Sequence, residues 1–179
     1  FHTYRDVEIL PKPIQKPHPP IWMASSSPDA IEWSASKGHA ILMDPHSPHE
    51  TIAKKFMAYR RGLSQYGHTH DQDTPIARLI AIGKTDAEGE AIARAGATWT
   101  LTSYLKTKRD SNPDDHETKT DSDPVKRYID DVIVHGSVDK VIDELQRLEE
   151  EIPLNYLLAS PLSHETFIRL TDKVMPALA

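Results

Sequence analysis

Cysteine is absent from this 179-residue chain, so the fold cannot rely on disulfide bonds. The absence is compatible with the reducing cytoplasm, and we expect a cytoplasmic protein. Positive charge is scarce as well, because 21 Lys and Arg residues stand against 27 Asp and Glu residues, for a net charge of −6. Nucleic-acid-binding domains usually carry a basic face, so the composition argues against a nucleic-acid partner.

Long hydrophobic runs are also missing. No apolar segment approaches the roughly 18 residues that a membrane-spanning helix requires, so we expect no membrane partner. The first residues lack the charged and then apolar pattern of a signal peptide. The chain opens with Phe1 rather than Met, from which we expect a cut or processed chain, or part of a longer protein.

Three well-known active-site motifs do not occur. The chain has no Gly-x-Ser-x-Gly turn for a hydrolase nucleophile. It also lacks the Walker-type phosphate loop and the Gly-x-Gly-x-x-Gly dinucleotide loop. The sequence therefore argues against a serine hydrolase, a P-loop nucleotidase and a Rossmann-type dehydrogenase.

What is present is a recurring unit, a short apolar run followed by a helix start. Ser27-Pro28 predicts an N-cap with proline in the first helical position. Ser47 to Glu50 and Thr85 to Glu88 both match the capping box, and Ser137 and Ser163 are further N-cap candidates. The predicted strands are residues 21–24, 39–43, 75–83 and 154–159, and the sequence predicts a helix after each.

Alternation of strand and helix predicts an α/β fold with parallel strands and right-handed crossovers. Two architectures fit, an open doubly wound sheet or about half of a (β/α)8 TIM barrel. A complete barrel takes about 250 residues and eight strands, twice the strand count predicted here. We expect a single partial domain over residues 1–179, in which the strongly polar residues 106–124 form a solvated insertion.

The turn PPIWMASSSPDAIEW offers an anion site. The first-turn N–H groups of a helix lack intrahelical partners, and a phosphate can accept hydrogen bonds from them and from the hydroxyls of Ser25, Ser26 or Ser27. The alternative is that Ser27 merely caps the helix, and the pattern alone leaves both interpretations open.

A metal site is the second alternative considered. Asp44, His46 and His49 follow the second predicted strand, and carboxylate and imidazole groups suit zinc or iron. The two prolines of this turn and the predicted capping role of Ser47 explain the same residues without an ion. We therefore predict no metal.

Residues 11–43 resemble the bacterial-luciferase-like family of flavin-dependent monooxygenases. The resemblance rests on the lead-in PKPIQKPHPPIW, the serine-rich turn and the Glu32-Trp33 pair in the following helix. Farther along, the segments GKTDAE at 83–88, Gly136-Ser137 with Val141, and VMPAL at 174–178 are similar to family motifs.

This resemblance implies a (β/α)8 barrel of which the chain supplies strands five to eight. It also implies that Met23, Ala24, Ser25, Ser26 and Ser27 contact the phosphate and ribityl chain of FMN, with the Ser26 hydroxyl as the best side-chain candidate. Some members use the deazaflavin F420 instead, which stays an alternative. The family places a hydroxyl residue at the position of Asp29 in luciferase catalytic subunits, so Asp29 is left off the site.

The same resemblance places the catalytic histidine and the arginine ligands of the phosphate in the first half of the barrel. We therefore name no catalytic residue and expect this chain alone to be inactive. The implied partners of the parent enzyme are a small-molecule substrate and a flavin reductase. A catalytically inactive relative, which binds flavin weakly or acts only in assembly, is the alternative.

Half a barrel would leave two unpaired strand edges and an uncovered apolar face. We expect the chain to pair with the missing half or to form a homo-oligomer. The residues expected to point inward are Ile21, Met23, Ile41, Leu42, Leu79, Ile80, Leu157 and Leu158.

Overall fold

The computed structural model describes residues 2–8, 10–16, 18–69, 72–105, 123–152 and 155–178. In these ranges the strands are β1 (Trp22–Ala24), β2 (Ala40–Leu42), β3 (Pro75–Ile82), β4 (Val134–Gly136) and β5 (Tyr156–Pro161). The helices are α1 (Pro28–Ser36), α2 (His49–Gln65), α3 (Asp86–Trp99), α4 (Pro124–Val132), α5 (Val138–Glu151), α6 (His164–Arg169) and α7 (Met175–Leu178). Two π-helical segments, Thr100–Leu105 and Leu170–Val174, extend α3 and join α6 to α7.

The predicted insertion is only partly described. Residues 106–122 lie outside the described residues, whereas Asp123 and Pro124 belong to a helix start. The Asp123 carboxylate accepts hydrogen bonds from the backbone N–H groups of Val125 and Lys126, both at 3.0 Å. No helix within the described ranges is long and apolar enough to cross a membrane.

All strand pairs among the described residues are parallel. β1 pairs with β2, and β3 lies between β4 and β5. An isolated bridge from Met43 to Ile76 connects β2 to β3, on the edge of β3 opposite β5. The strands other than β4 therefore follow the order β1-β2-β3-β5, and β4 lies beside the carboxyl end of β3. This arrangement confirms the predicted α/β fold with parallel βα units.

Strand β4 was missed by the sequence prediction, which placed no strand between residues 83 and 154. The strand has only three residues and follows α4 after a single residue, Ile133. The apolar run 132–134 fits a buried helix end as well as a buried strand, and periodicity cannot distinguish the two. Val134 and Gly136 pair with Ile80 and Ile82 of β3, and this pairing makes the segment a strand.

The two faces of the sheet are covered unequally. The face that carries Ile41, Ile76 and Ile80 is buried under α1, α2, α5 and the Leu170–Val174 segment. On the opposite face, α3 and α4 cover Ala81 and pack on Leu79 near the carboxyl end of β3. At β5, the edge strand, both faces are partly open, since Leu157 and Leu158 are each 38% exposed.

The register corrects part of the predicted inward-facing set. Since paired residues of neighbouring strands share a face, Met23 lies with Ile41, and Leu157 lies with Ile76, on the helix-covered face. Leu42, Leu79 and Leu158 lie on the opposite face, where the inner layer of a barrel is expected. The prediction treated neighbouring residues of a strand as facing the same way, whereas side chains alternate.

Most predicted helix starts are confirmed. The side chains of Ser27, Thr85, Ser137 and Ser163 each accept a hydrogen bond from a first-turn N–H group. The predicted capping box at Ser47 is wrong, because the Ser47 hydroxyl donates to Asp44 Oδ2 at 2.9 Å and α2 has no side-chain cap. A nearby carboxylate acceptor competes for the hydroxyl that would otherwise cap the helix.

Candidate functional site

The turn predicted to bind the flavin phosphate lies at the carboxyl end of β1. Met23 and Ala24 are the last residues of the strand, and Ser25 to Ser27 connect it to α1. The backbone N–H of Ser25 donates to the carbonyl of Leu42, at 3.4 Å, so the turn is attached to β2 as well. The strand-turn-helix geometry needed for an anion site is therefore present.

The three serines of this turn have different roles. Ser25 is buried, and its hydroxyl lies 2.9 Å from the hydroxyl of Ser34, which donates to the carbonyl of Ala30. Ser27 is exposed and accepts from the N–H of Ala30 at 3.3 Å, as an N-cap. Ser26 is exposed between them. The Ser25 hydroxyl thus serves the packing of α1, whereas Ser26 is the serine best placed to contact a ligand.

A basic groove begins beside Ser26. It has a volume of about 500 Å³ and runs between α1 and α2. Lys54, Lys55 and Arg61 of α2 line it, and Glu32 of α1 is the acidic side chain in its lining. Lys54 is ion-paired with Glu50, and Arg61 adjoins Gly62, which faces Ala35 near the carboxyl end of α1. The positive charge of the groove is therefore partly neutralised and is spread along α1.

A second polar cluster follows β2. Asp44 Oδ1 accepts from the N–H of His46 at 3.0 Å, and His46 Nδ1 lies 2.5 Å from the hydroxyl oxygen of Tyr128 in α4. The His46 and Tyr128 rings are also stacked, with centroids 6.2 Å apart. Burial raises the pKa of Tyr128 to about 12, so its hydroxyl stays protonated at neutral pH.

Arg78 of β3 is fully buried behind this loop. Its Nε donates to His49 Nδ1 at 3.2 Å, and Nη1 donates to the carbonyls of Pro45 and Ala77, both at 3.3 Å. Burial lowers the pKa of Arg78 to about 10, against an opposing contribution from Asp44. Arg78 therefore remains charged at neutral pH and fixes the loop between β2 and α2.

His49, the first residue of α2, is neutral at pH 7. Its burial, assisted by the positive charge of Arg78, lowers its pKa to about 4. Because Nδ1 accepts from Arg78, that nitrogen carries no proton. His49 and Asp44 are thus engaged in protein contacts, and the described part of the chain contains no group of three or more His, Cys, Asp or Glu residues that could hold a metal ion.

Sequence reasoning found Asp44, His46 and His49 but missed Arg78 and Tyr128. A signal for Arg78 was available, since a single charged residue interrupts the apolar run PIARLIAI. Tyr128 gave no comparable signal, because it is 82 residues from His46 and reaches it only through the packing of α4.

Comparison with known proteins gives a family match over most of the chain. A family model described as "Luciferase-like monooxygenase" matches residues 1–153. The uncharacterized protein y4wF of Sinorhizobium fredii is 27% identical over 89 residues, which are 49% of this chain and 26% of that protein.

Solved structures share the fold. Monooxygenase RslO1 from Streptomyces bottropensis matches 100% of this chain and 54% of its own, with a TM-score of 0.74 and 18% identity. The oxygenating constituent of 3,6-diketocamphane monooxygenase from Pseudomonas putida, solved in complex with FMN, matches 89% of this chain and 49% of its own, with a TM-score of 0.64 and 16% identity.

The coenzyme F420-dependent tetrahydromethanopterin reductase from Methanopyrus kandleri has a TM-score of 0.63 at 15% identity, over 89% of this chain and 51% of its own. The chain thus spans about half the length of these three solved relatives. It spans about a quarter of the curated relative.

Proposed function

The chain belongs to the luciferase-like monooxygenase family, and from this premise we propose that it supplies strands five to eight of a (β/α)8 barrel and one wall of a flavin site. The observation that carries the proposal is the turn after β1, in which an exposed serine precedes the amino end of a nine-residue helix. In parallel α/β folds, ligands bind at the carboxyl ends of the strands, where this turn lies.

The residues of the turn fit a phosphate group. The Ser26 hydroxyl and the N–H groups of Ser26 and Ser27 are the proposed donors, and Met23 and Ala24 flank them on the strand. The buried Ser25 hydroxyl contacts Ser34, so Ser25 contributes through its backbone. The unpaired first-turn N–H groups and the dipole of α1 favour an anion at the same position.

FMN is the proposed cofactor, and F420 is the alternative. Among the solved relatives, the Pseudomonas putida monooxygenase holds FMN and the Methanopyrus kandleri reductase depends on F420. A bound flavin supplies the redox chemistry, with oxygen as co-substrate for FMN or by hydride transfer for F420. This chain would hold the phosphate end, while a small-molecule substrate and a flavin reductase act on the complete enzyme.

A second candidate function is that of an inactive relative. The observation that favours it is the buried Ser25 hydroxyl, which contacts Ser34 and leaves the turn with fewer side-chain donors for a phosphate. Such a protein would bind flavin weakly, without turnover, or would serve only in assembly. The two candidates differ in whether flavin binding is accompanied by oxidation of a substrate.

Replacing Ser26 with alanine tests the proposed site. We expect the variant to bind FMN more weakly by about 0.5–1.5 kcal/mol, the net contribution of one hydrogen bond. The measurement is a titration of the chain with FMN, followed by flavin fluorescence, with F420 titrated in parallel. Ser36→Ala is the matched control, because Ser36 lies at the opposite end of α1 and its hydroxyl donates to the carbonyl of Trp33.

If the Ser26→Ala and Ser36→Ala variants bind FMN with equal affinity, the phosphate does not bind at this turn. Absence of FMN and F420 binding by the unmodified chain would favour the assembly role.

A further inference from the structure

The groove between α1 and α2 continues from the turn proposed to bind the phosphate. Ser26 and Pro28 of this turn are themselves part of its lining, and the groove passes along α2 as far as Gln65. Its volume of about 500 Å³ is within the range of small-molecule sites. A ligand whose phosphate lies at Ser26 can therefore extend into the groove while staying in contact with the protein.

The contact between the two helices fixes the level of each side chain along the groove. A Cβ added at Gly62 of α2 would lie 2.8 Å from the Cβ of Ala35 of α1, so these two residues are level. Both helices follow parallel strands and therefore run in the same direction. Counting back seven residues on each helix places Lys55 level with Pro28, beside the phosphate turn. Arg61 lies six residues, or about 9 Å, farther along α2.

Two cations of the groove have no ion-pair partner among the described residues. Lys54 pairs with Glu50, whereas neither Lys55 nor Arg61 takes part in an ion pair there. Lys55 is partly buried in the groove wall, and Arg61 is exposed. Two positive charges held about 9 Å apart suit a ligand with negative charges at intervals better than they suit a single phosphate.

The surface between these cations is apolar. Pro28, Ile31 and Ala58 form it, and the Ile31 side chain is buried there. A chain that alternates methylene groups with carboxylates matches such a surface, because its methylene groups pack on the apolar residues and its carboxylates reach the cations at the sides.

We propose that the groove binds an acidic tail that the cofactor carries beyond its phosphate, with Lys55 and Arg61 each contacting a carboxylate. F420 has a tail of this chemistry, a lactyl group and a chain of γ-linked glutamates joined to its phosphate, whereas the phosphate of FMN is terminal. The inference rests on the phosphate turn of the proposed function. That turn can serve both cofactors, but the groove offers contacts that only F420 can make and so favours F420.

The length of the tail fits the spacing of the cations. About three residues of extended chain cover 9 Å. A γ-linked glutamate is longer than an α-linked residue, because its side-chain methylene groups are part of the chain. A lactyl group and two such glutamates therefore reach from the phosphate turn to Arg61.

Titration with F420 forms that differ only in the tail tests the proposal. The chain is titrated with the diglutamyl form and with the glutamate-free form, which ends at the lactyl group, and deazaflavin fluorescence is followed. At low ionic strength we expect the diglutamyl form to bind about tenfold tighter, since each exposed ion pair contributes up to about fivefold. High salt should remove most of this difference, because the charges lie at the surface.

Replacing both cations separates the groove from the turn. The double variant Lys55→Ala/Arg61→Ala should bind the two F420 forms with nearly equal affinity, while its affinity for the glutamate-free form stays within about twofold of the unmodified chain. Lys173→Ala is the matched control, because Lys173 is an exposed lysine outside the groove. This control should keep the preference for the diglutamyl form.

A second variant should strengthen binding rather than weaken it. Glu32 is the acidic side chain of the lining, and its Oε1 accepts a hydrogen bond from the Tyr66 hydroxyl at 3.0 Å. Glu32→Gln keeps an acceptor for Tyr66 but removes a charge that repels the tail. We expect this variant to bind the diglutamyl form about twofold tighter and the glutamate-free form as before.

Equal affinity of the unmodified chain for the two F420 forms would overturn the proposal and leave the phosphate turn standing. A preference for the diglutamyl form that persists in the double variant would also overturn it, because the tail would then lie elsewhere. If neither F420 form nor FMN binds, the phosphate turn itself is wrong and the inference fails with it. The three results differ, so failure of the groove is distinguished from failure of the turn.

Discussion

Replacing Gly89 with alanine is expected to lower the free energy of unfolding by about 2 kcal/mol, because overpacking against backbone outweighs the gain in helix propensity. Gly89 lies in the first turns of α3, where the helix crosses β4. A Cβ at this position would lie 2.4 Å from the carbonyl oxygen of Gly136 and 2.6 Å from its Cα. Backbone atoms cannot rotate away, so α3 would have to move off β4.

Gly96→Ala, in the same helix, is the control. Its Cβ would meet Leu162 Cδ1 at 2.7 Å, and that side chain can change its rotamer. Since alanine also favours the helix by about 1 kcal/mol over glycine, we expect a stability within about 1 kcal/mol of the unmodified chain. Urea unfolding at one protein concentration gives both values. Equal losses in the two variants would contradict the close approach of α3 to β4.

Acidification from pH 7 to pH 5 is expected to destabilise the protein through His49, by about 1.5 kcal/mol after allowance for partial exposure. The folded pKa of His49 is about 4, below the ordinary value of 6.5. As the pH falls through 6.5, His49 binds a proton in the unfolded chain but not in the folded chain. Stability is therefore lost between about pH 6.5 and pH 4, and this contribution changes little below pH 4.

The surroundings of His49 explain the direction. Burial has the largest effect, Arg78 and Arg147 also lower its pKa, and Glu144 opposes them. Replacing His49 with asparagine keeps an acceptor for Arg78 but removes the titration. The His49→Asn variant should lose about 1.5 kcal/mol less than the unmodified chain between pH 7 and pH 5. The free energy of unfolding of both proteins is measured by urea unfolding at each pH. If it changes equally with pH in the two proteins, the pKa of His49 is ordinary and the prediction is wrong.

The local signals in the sequence were reliable where one short segment decides the outcome. Ser27-Pro28 begins α1 and Thr85 begins α3, as predicted, because a cap involves only residues within one turn. The capping box predicted at Ser47 was wrong for a reason that is also local. Asp44 lies three residues earlier and accepts a hydrogen bond from the Ser47 hydroxyl, which does not accept from a first-turn N–H group of α2.

The candidate site was predictable in position but not in detail. The strand-turn-helix pattern placed Met23 to Ser27 at the carboxyl end of a strand. The family resemblance implied that this turn binds a flavin. The choice among three adjacent serines required the packing of α1, since Ser25 turns inward to Ser34. Arg78 lies on β3 and Tyr128 on α4, in parts of the chain distant from the second cluster. They contact His49 and His46 only because these elements pack together.

The sequence by itself determined the parallel order of the strands other than β4, most of the helix starts and the family, because each depends on neighbouring residues or on a contiguous motif. The tertiary structure alone decided the pairing of β4, the face on which each strand residue lies, and which serine is exposed. These depend on contacts between residues tens of positions apart, such as Ile80 with Val134. Local propensity carries no information about such contacts, since they form only when the helices and strands pack together.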